Sequence, residues 1–141
     1  MTDHDLSNHD LSDRDYQALA RFRHGLRVFL SFSEAAARAA GLPPAQHQLL
    51  LAIRGWTGEG DPTIGDVAEL LVLRHHSVVE LVQRAAAAGL IASTADPADG
   101  RRQRLHLTPI GASKLADLSA LHRDELRRFR TELSPILHEL G

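Results

Sequence analysis

The sequence predicts a mainly α fold carrying one small β-hairpin, and three patterns in its 141 residues lead there. Long stretches at both ends of the chain repeat apolar residues at helical spacing. Three shorter helical stretches stand between them. A pair of alternating segments then flanks the turn-forming run Pro97-Ala98-Asp99-Gly100. A chain of this length has room for one domain, since domains cluster at ~100 to 150 residues.

Residues 1–11 are polar and rich in His and Asp, which reads as a disordered acidic tail. Ser12 with Asp15 has the spacing of a capping box, and Tyr16, Leu19, Phe22, Leu26, Phe29 and Ala36 then mark one amphipathic helix running to the region of Ala40. Pro43 and Pro44 suit the first turn of a second helix with Leu49, Leu50 and Ile53 inward, broken by Gly55, Gly58, Gly60 and Pro62. Thr63 and Asp66 repeat the capping box before Ile64, Val67, Ala68 and Leu71, so a short third helix follows. A fourth begins near Arg74, buries Val78, Leu81, Val82 and Ala85, and ends at the left-handed cap Gly89. Leu90 to Ala95 and Gln103 to Thr108 form the hairpin, with Leu105 and Leu107 on one face and Arg104 and His106 on the other. Thr108 and Pro109 restart a helix as N-cap and first residue, which a break near Ser134 and Pro135 interrupts.

Composition removes several classes of function. Without cysteine there is no disulfide, thiolate nucleophile or Cys-based zinc site. No apolar stretch approaches the ~20 residues of a membrane span, and Asp3, Asp5, Asp10 and Asp13 occupy the place of a basic signal-peptide start, so a cytoplasmic chain is expected. No paired nucleophile and base, HExxH or phosphate loop is present, and Gly58-Glu59-Gly60 lacks the lysine of a P-loop. Neither catalysis nor a cofactor is expected. The net charge of -2 hides an uneven distribution: residues 1–15 carry five Asp against Arg14, whereas residues 74–104 carry five Arg against Glu80, Asp96 and Asp99.

Two short helices followed by a hairpin make a winged helix-turn-helix at residues 63–108, whose second helix fits the ~12 Å wide major groove of DNA. If Val78, Leu81, Val82 and Ala85 face the core, His75, His76, Val79, Glu80 and Gln83 face outward. An outward valine beside hydrogen-bonding side chains suits a thymine methyl next to base edges. Adjacent helical histidines point ~100° apart and do not converge on one ion, so no metal site is expected at His75-His76. His4 and His9 belong to the tail, where a solvated segment outweighs a loose metal site.

Gly41-Leu42-Pro43, the run Thr63 to Leu71, Ser77-Val78-Val79 leading to Arg84, and Gly89-Leu90-Ile91 form one series of motifs. Asp96-Pro97-Ala98-Asp99-Gly100-Arg101-Arg102, followed by Leu107-Thr108-Pro109-Ile110-Gly111, is the more specific one. On these residues the chain resembles, from Gly41 to Leu115, the multiple-antibiotic-resistance regulator (MarR) family. The resemblance implies a single domain over residues 12–141, with residues 12–40 and 109–141 as dimerisation helices and 43–108 as the DNA-binding lobe. It implies a homodimeric repressor on a near-palindromic operator in double-stranded DNA, released by a small aromatic or phenolic effector. Carried over by position, His75, His76 and Ser77 would contact base edges or phosphates, and the candidate DNA-contacting set is Arg74, His75, His76, Ser77, Val79, Gln83 and Arg84 on the recognition helix, with Asp99, Arg101, Arg102 and Arg104 on the wing. Arg101 would enter the minor groove, oriented by Asp99. His24 and His47 fall in the two helices that, by the same resemblance, line the effector cavity.

Two departures stand out. Ala92, Ser93 and Thr94 follow Gly89-Leu90-Ile91 where many members carry a basic residue. Glu80 lies on the groove face, where an i, i+4 pair with Arg84 accounts for it better than a base contact does. The competing reading is a winged-helix protein-interaction module without DNA binding, against which Arg101, Arg102 and Arg104 stand together. Trp56 reads as a core cap, and Arg123, Arg127, Arg128 and Arg130, alternating with Asp124, Glu125 and Glu132, as a solvated helix face.

Overall fold

The computed structural model describes residues 11–140, so the tail reading, with His4 and His9, lies outside the described residues except for Leu11. Five helices and one hairpin follow in order: α1 (Asp13–Ala39), α2 (Pro44–Arg54), α3 (Ile64–Leu71), α4 (His75–Ala87), β1 (Ile91–Ala95), β2 (Gln103–Leu107) and α5 (Pro109–Leu140). They group into two compact units: Glu34–Ala120, and the described parts of Met1–Ser33 with Leu121–Gly141.

The local signals act as their chemistry requires. At the head of α1 the Ser12 N–H donates to Asp15 Oδ2 at 3.0 Å and the Asp15 N–H donates to Ser12 Oγ at 3.2 Å, so two otherwise orphaned helix donors are satisfied. Thr63 and Asp66 repeat the exchange at α3, at 2.9 and 3.2 Å. Gly89 closes α4 at φ +75°, a conformation that costs glycine nothing. Thr108 links hairpin to helix: its hydroxyl donates to the Gly89 carbonyl at 2.6 Å and accepts the Gly111 N–H at 3.1 Å. Gly111 sits so close to Leu90 that an added Cβ would lie 2.0 Å from the Leu90 carbonyl oxygen.

In the Glu34–Ala120 unit, Leu49 and Leu50 of α2, Val67 of α3, Val78 and Ala85 of α4 and Leu105 of β2 are almost completely buried in one core, joined by Leu115 and Leu118 of α5. Each large side chain there contributes ~1.5 to 3 kcal/mol by leaving water. The hairpin is antiparallel with Ile91 opposite Leu107 and Ser93 opposite Leu105. Strand β2 reaches further than the hairpin expectation. Its Leu105 N–H donates to the Pro62 carbonyl at 2.8 Å and Arg104 bridges to Thr63, which ties the wing to the segment ahead of α3.

The other unit has its own small core: Ala18 of α1 with Leu133 and Ile136 of α5, covered by Phe22 and Phe129. Here the expected break is corrected. Helix α5 continues through Ser134 and Pro135 to Leu140. An interior proline removes one hydrogen bond and costs ~3 kcal/mol, but burying Leu133 and Ile136 on either side of it offsets that loss. Ser33, also buried, hydrogen-bonds His122 Nε2 at 2.8 Å, with Phe29 and Phe32 edge-on to the imidazole.

The corner between α3 and α4 is strained. Val72 closes α3 in the left-handed region at φ 55° and ψ 46°, where a β-branched residue is crowded, and its side chain is 88% exposed. It therefore gains little from burial to offset the crowding. Val72→Gly should raise the stability by about 1 kcal/mol, even after the extra freedom of glycine in the unfolded chain is subtracted. A urea midpoint that stays level or falls would contradict the strain.

Candidate nucleic-acid interface

Helix α4 is amphipathic in the sense needed to present one face outward. Val78, Leu81 and Ala85 are buried and Val82 packs against the same core, while Arg74, His75, His76, Glu80, Gln83 and Arg84 are exposed. Ser77 and Val79 lie half-buried at the margin of that face. The ion pair expected between Glu80 and Arg84 does not form: among the described residues no bridge of 4.0 Å or less joins them. An exposed i, i+4 pair is worth only ~0.3 to 0.5 kcal/mol, too little to hold two solvated side chains together.

The wing tip is built by its own aspartates. Asp96 Oδ1 accepts the Ala98 N–H at 2.9 Å, Asp99 Oδ1 accepts the Arg101 N–H at 3.1 Å, and the Arg102 N–H returns to the Asp99 carbonyl at 3.0 Å. Asp99 thus shapes the backbone that carries Arg101 and does so through the amide of that residue. The side chains of Arg101 and Arg102 stand exposed, in no ion pair among the described residues. They meet α4 across a cleft of about 440 Å³ lined by the start of α3, by His75 and by Arg101, Arg102 and Gln103.

Arg104 is placed differently from the other two wing arginines. Its Nε and Nη2 donate to Asp96 Oδ2 at 3.2 and 3.1 Å, and Nη1 donates to the Asp61 and Glu59 carbonyls at 2.7 and 3.4 Å. Every nitrogen of the guanidinium is engaged inside the protein, so Arg104 is a brace between the wing and the loop ahead of α3. In one dimension three arginines near a turn look alike, and only the fold shows which of them Asp96 and the 59–61 loop take up. Asp96 is buried, and the Ala98 amide, together with the hydrogen bonds and charge of Arg104, holds its carboxyl below the usual range against the upward push of burial. His106 stands 3.7 Å from Asp61 on the same side.

Trp56, half-buried, lays its ring against Gly58, where an added Cβ would come within 2.1 Å of it. His24 is exposed on α1 and His47 buried on α2, and they belong to different units. No group of three or more potential metal ligands occurs among the described residues, and no helix is long and apolar enough to cross a membrane.

Residues 40–102 match the MarR family model. Among solved structures the chain is similar to AbsC, a MarR family transcriptional regulator from Streptomyces coelicolor, at 20% identity over 89% of this chain and 84% of that one, with a TM-score of 0.73. It is similar to S. aureus MepR in a MepR–DNA complex, at 19% identity over 79% and 81% of the two chains and a TM-score of 0.68. It is also similar to Bordetella bronchiseptica BpsR, whose structure addresses regulation of DNA binding by 6-hydroxynicotinic acid, at 22% identity over 88% and 96% and a TM-score of 0.66. These likenesses show the fold. No curated protein matches in sequence.

The brace makes a prediction about acid. Because the folded Asp96 carboxyl titrates below its ordinary value, its contribution to stability is complete above about pH 4 and is lost as the pH falls through the lowered value. The difference in urea midpoint between the wild type and Asp96→Asn should therefore be level at neutral pH and shrink on acidification below that point. A difference that widens in acid would contradict the placement of the charge.

Proposed function

We propose that this chain is a MarR-type regulator that acts as a homodimeric transcriptional repressor on a near-palindromic operator in duplex DNA, released when a small aromatic acid or phenol binds, a reading supported by the family match over residues 40–102. The observation that carries the DNA reading is the set of exposed cations on two elements of one unit: Arg74 at the head of α4, and Arg101 and Arg102 on the wing, none engaged by a carboxylate among the described residues. Unpaired arginines at such positions neutralise phosphates and release counterions. The helix face with His75, His76, Ser77, Val79, Gln83 and Arg84 offers hydrogen-bond donors and acceptors together with one apolar contact, the combination that meets base edges in the major groove and the phosphates beside them. Arg101 supplies charge to phosphates or to the minor groove, where the pattern of edges is degenerate.

Apolar surface that the chain leaves uncovered supports the dimer reading. Tyr16, Leu19, Val28 and Leu30 of α1 and Leu121, Leu126 and Leu137 of α5 are each at least 43% exposed, more apolar surface on two helices than a monomer leaves in water without use. A two-fold dimer places its recognition helices about one DNA turn apart, ~34 to 36 Å, with half-sites centred ~10 bp apart. The effector reading draws on the regulation of BpsR by 6-hydroxynicotinic acid, and His24 and His47 are candidates for reading an acidic group. Coupling of ~1 to 3 kcal/mol would weaken operator binding ~5 to 150-fold.

Sedimentation should give about 31 kDa, twice the 15.4 kDa of one chain. A stable monomer at micromolar concentration would remove the two-fold operator model. Arg101→Ala should weaken operator and random duplex alike and lower the salt slope by ~1 per subunit. His76→Ala and Ser77→Ala should instead cost ~1 to 3 kcal/mol on the operator with little loss on random duplex. Unchanged operator affinity for all three variants at fixed salt would take α4 out of the groove.

A further inference from the structure

The cleft between the wing and the recognition helix has an unusual charge balance. Three of its walls carry titratable or charged groups: Asp66 from α3, His75 from α4, and Arg101 and Arg102 from the wing, with Thr63 and Gln103 between them. Asp66, the sole carboxylate there, already accepts the Thr63 N–H in the capping box of α3. The two guanidiniums pair with no carboxylate among the described residues. On α4 itself the nearby charged or titratable side chains are Arg74, His76 and Glu80, all exposed. The cleft thus gathers two fixed cations around one imidazole, against the single carboxylate of Asp66.

We propose that this cleft receives one phosphodiester of the DNA backbone and that His75 takes up a proton as it arrives, so that duplex affinity rises as the pH falls. The inference rests on the DNA reading above and adds a proton to it. A phosphate between Arg101, Arg102 and His75 meets a full charge and a second N–H donor when the ring is protonated. From the neutral ring it meets at most one donor, and a lone pair directed at it is repulsive. The complex therefore favours the imidazolium, and by linkage the binding constant must increase wherever protons are taken up on binding. Imidazoles ordinarily titrate near ~6.5, so the effect falls between about pH 6 and 8. Since a phosphate carries no sequence information, operator and random duplex should show the same dependence.

The experiment is a fluorescence-anisotropy titration of the full chain with labelled duplexes, one from the region upstream of its own gene and one of random sequence, from pH 6 to 8 at fixed ionic strength. Binding should tighten about 3 to 10-fold per subunit from the alkaline to the acid end on both duplexes, a shift of up to about one unit at one site. His75→Asn keeps a hydrogen-bonding side chain without the titration, and its affinity should be flat over the range. His106→Asn, which removes the imidazole beside Asp61 on the wing strand, should keep the slope. Thermal melting at both pH extremes establishes that each variant is folded. A flat wild type, or a His75→Asn protein with the wild-type slope, overturns the proton uptake while the DNA reading stands. No binding to either duplex at any pH overturns the DNA reading, and this inference with it.

Discussion

Arg104 is the point at which separately encoded parts of the fold are forced into one geometry. Its guanidinium joins Asp96 at the end of β1, the backbone of Glu59 and Asp61, and through β2 the segment at Thr63 that caps α3. A hairpin of two five-residue strands is marginal by itself, because too few of its residues reach the core. Leu105 anchors it from one face, fully buried, and Arg104 ties it from the other. With both in place, the wing tip stands at a fixed position relative to α3 and α4. That relation is what brings Arg101 and Arg102 to the cleft that His75 also lines.

The three wing arginines show how identical side chains divide between structure and surface. Arg104 meets a buried carboxylate and two backbone carbonyls, and removing its guanidinium would leave the Asp96 carboxylate buried without its ion-pair partner. Arg101 and Arg102 meet water. Their charges are therefore available to an external anion, and holding them ready costs only the local turn that Asp96 and Asp99 stabilise. The same division holds on α4, where Val78, Leu81 and Ala85 fix the helix and the exposed side chains of its first turn are left to react to what approaches.

Apolar surface is distributed as unevenly as charge. The Glu34–Ala120 unit gathers most of its large aliphatic residues in one cluster, though Leu51, Leu70, Val72, Leu73 and Ile110 stay exposed, whereas the terminal-helix unit buries few and leaves a row of leucines and a tyrosine in solvent. Those few still outweigh an interior proline, as the continuity of α5 through Pro135 demonstrates. The exposed row is the physical ground for proposing a partner copy, since water otherwise borders more hydrocarbon there than the small core of that unit covers.

What the sequence by itself determined is whatever depends on neighbours within a few positions: the capping boxes at Ser12 and Thr63, the left-handed cap at Gly89, the restart at Thr108-Pro109, and the inward faces of α2, α3 and α4. These follow from side-chain-to-backbone bonds and helical period, which a linear reading contains in full. The outward face of α4 was legible for the same reason. Tertiary structure decided the rest. Arg104 is bound by residues 8 and 43 positions away, Arg104 and Leu105 of β2 pair with Thr63 and Pro62 about 40 positions earlier, and Pro135 stays helical because Ala18 and Phe22 lie across from it. Glu80 and Arg84 have the right spacing for a pair, yet nothing holds two solvated side chains together. Spacing along the chain specifies which contacts are possible, and the burial and charge that only distant segments bring decide which of them form.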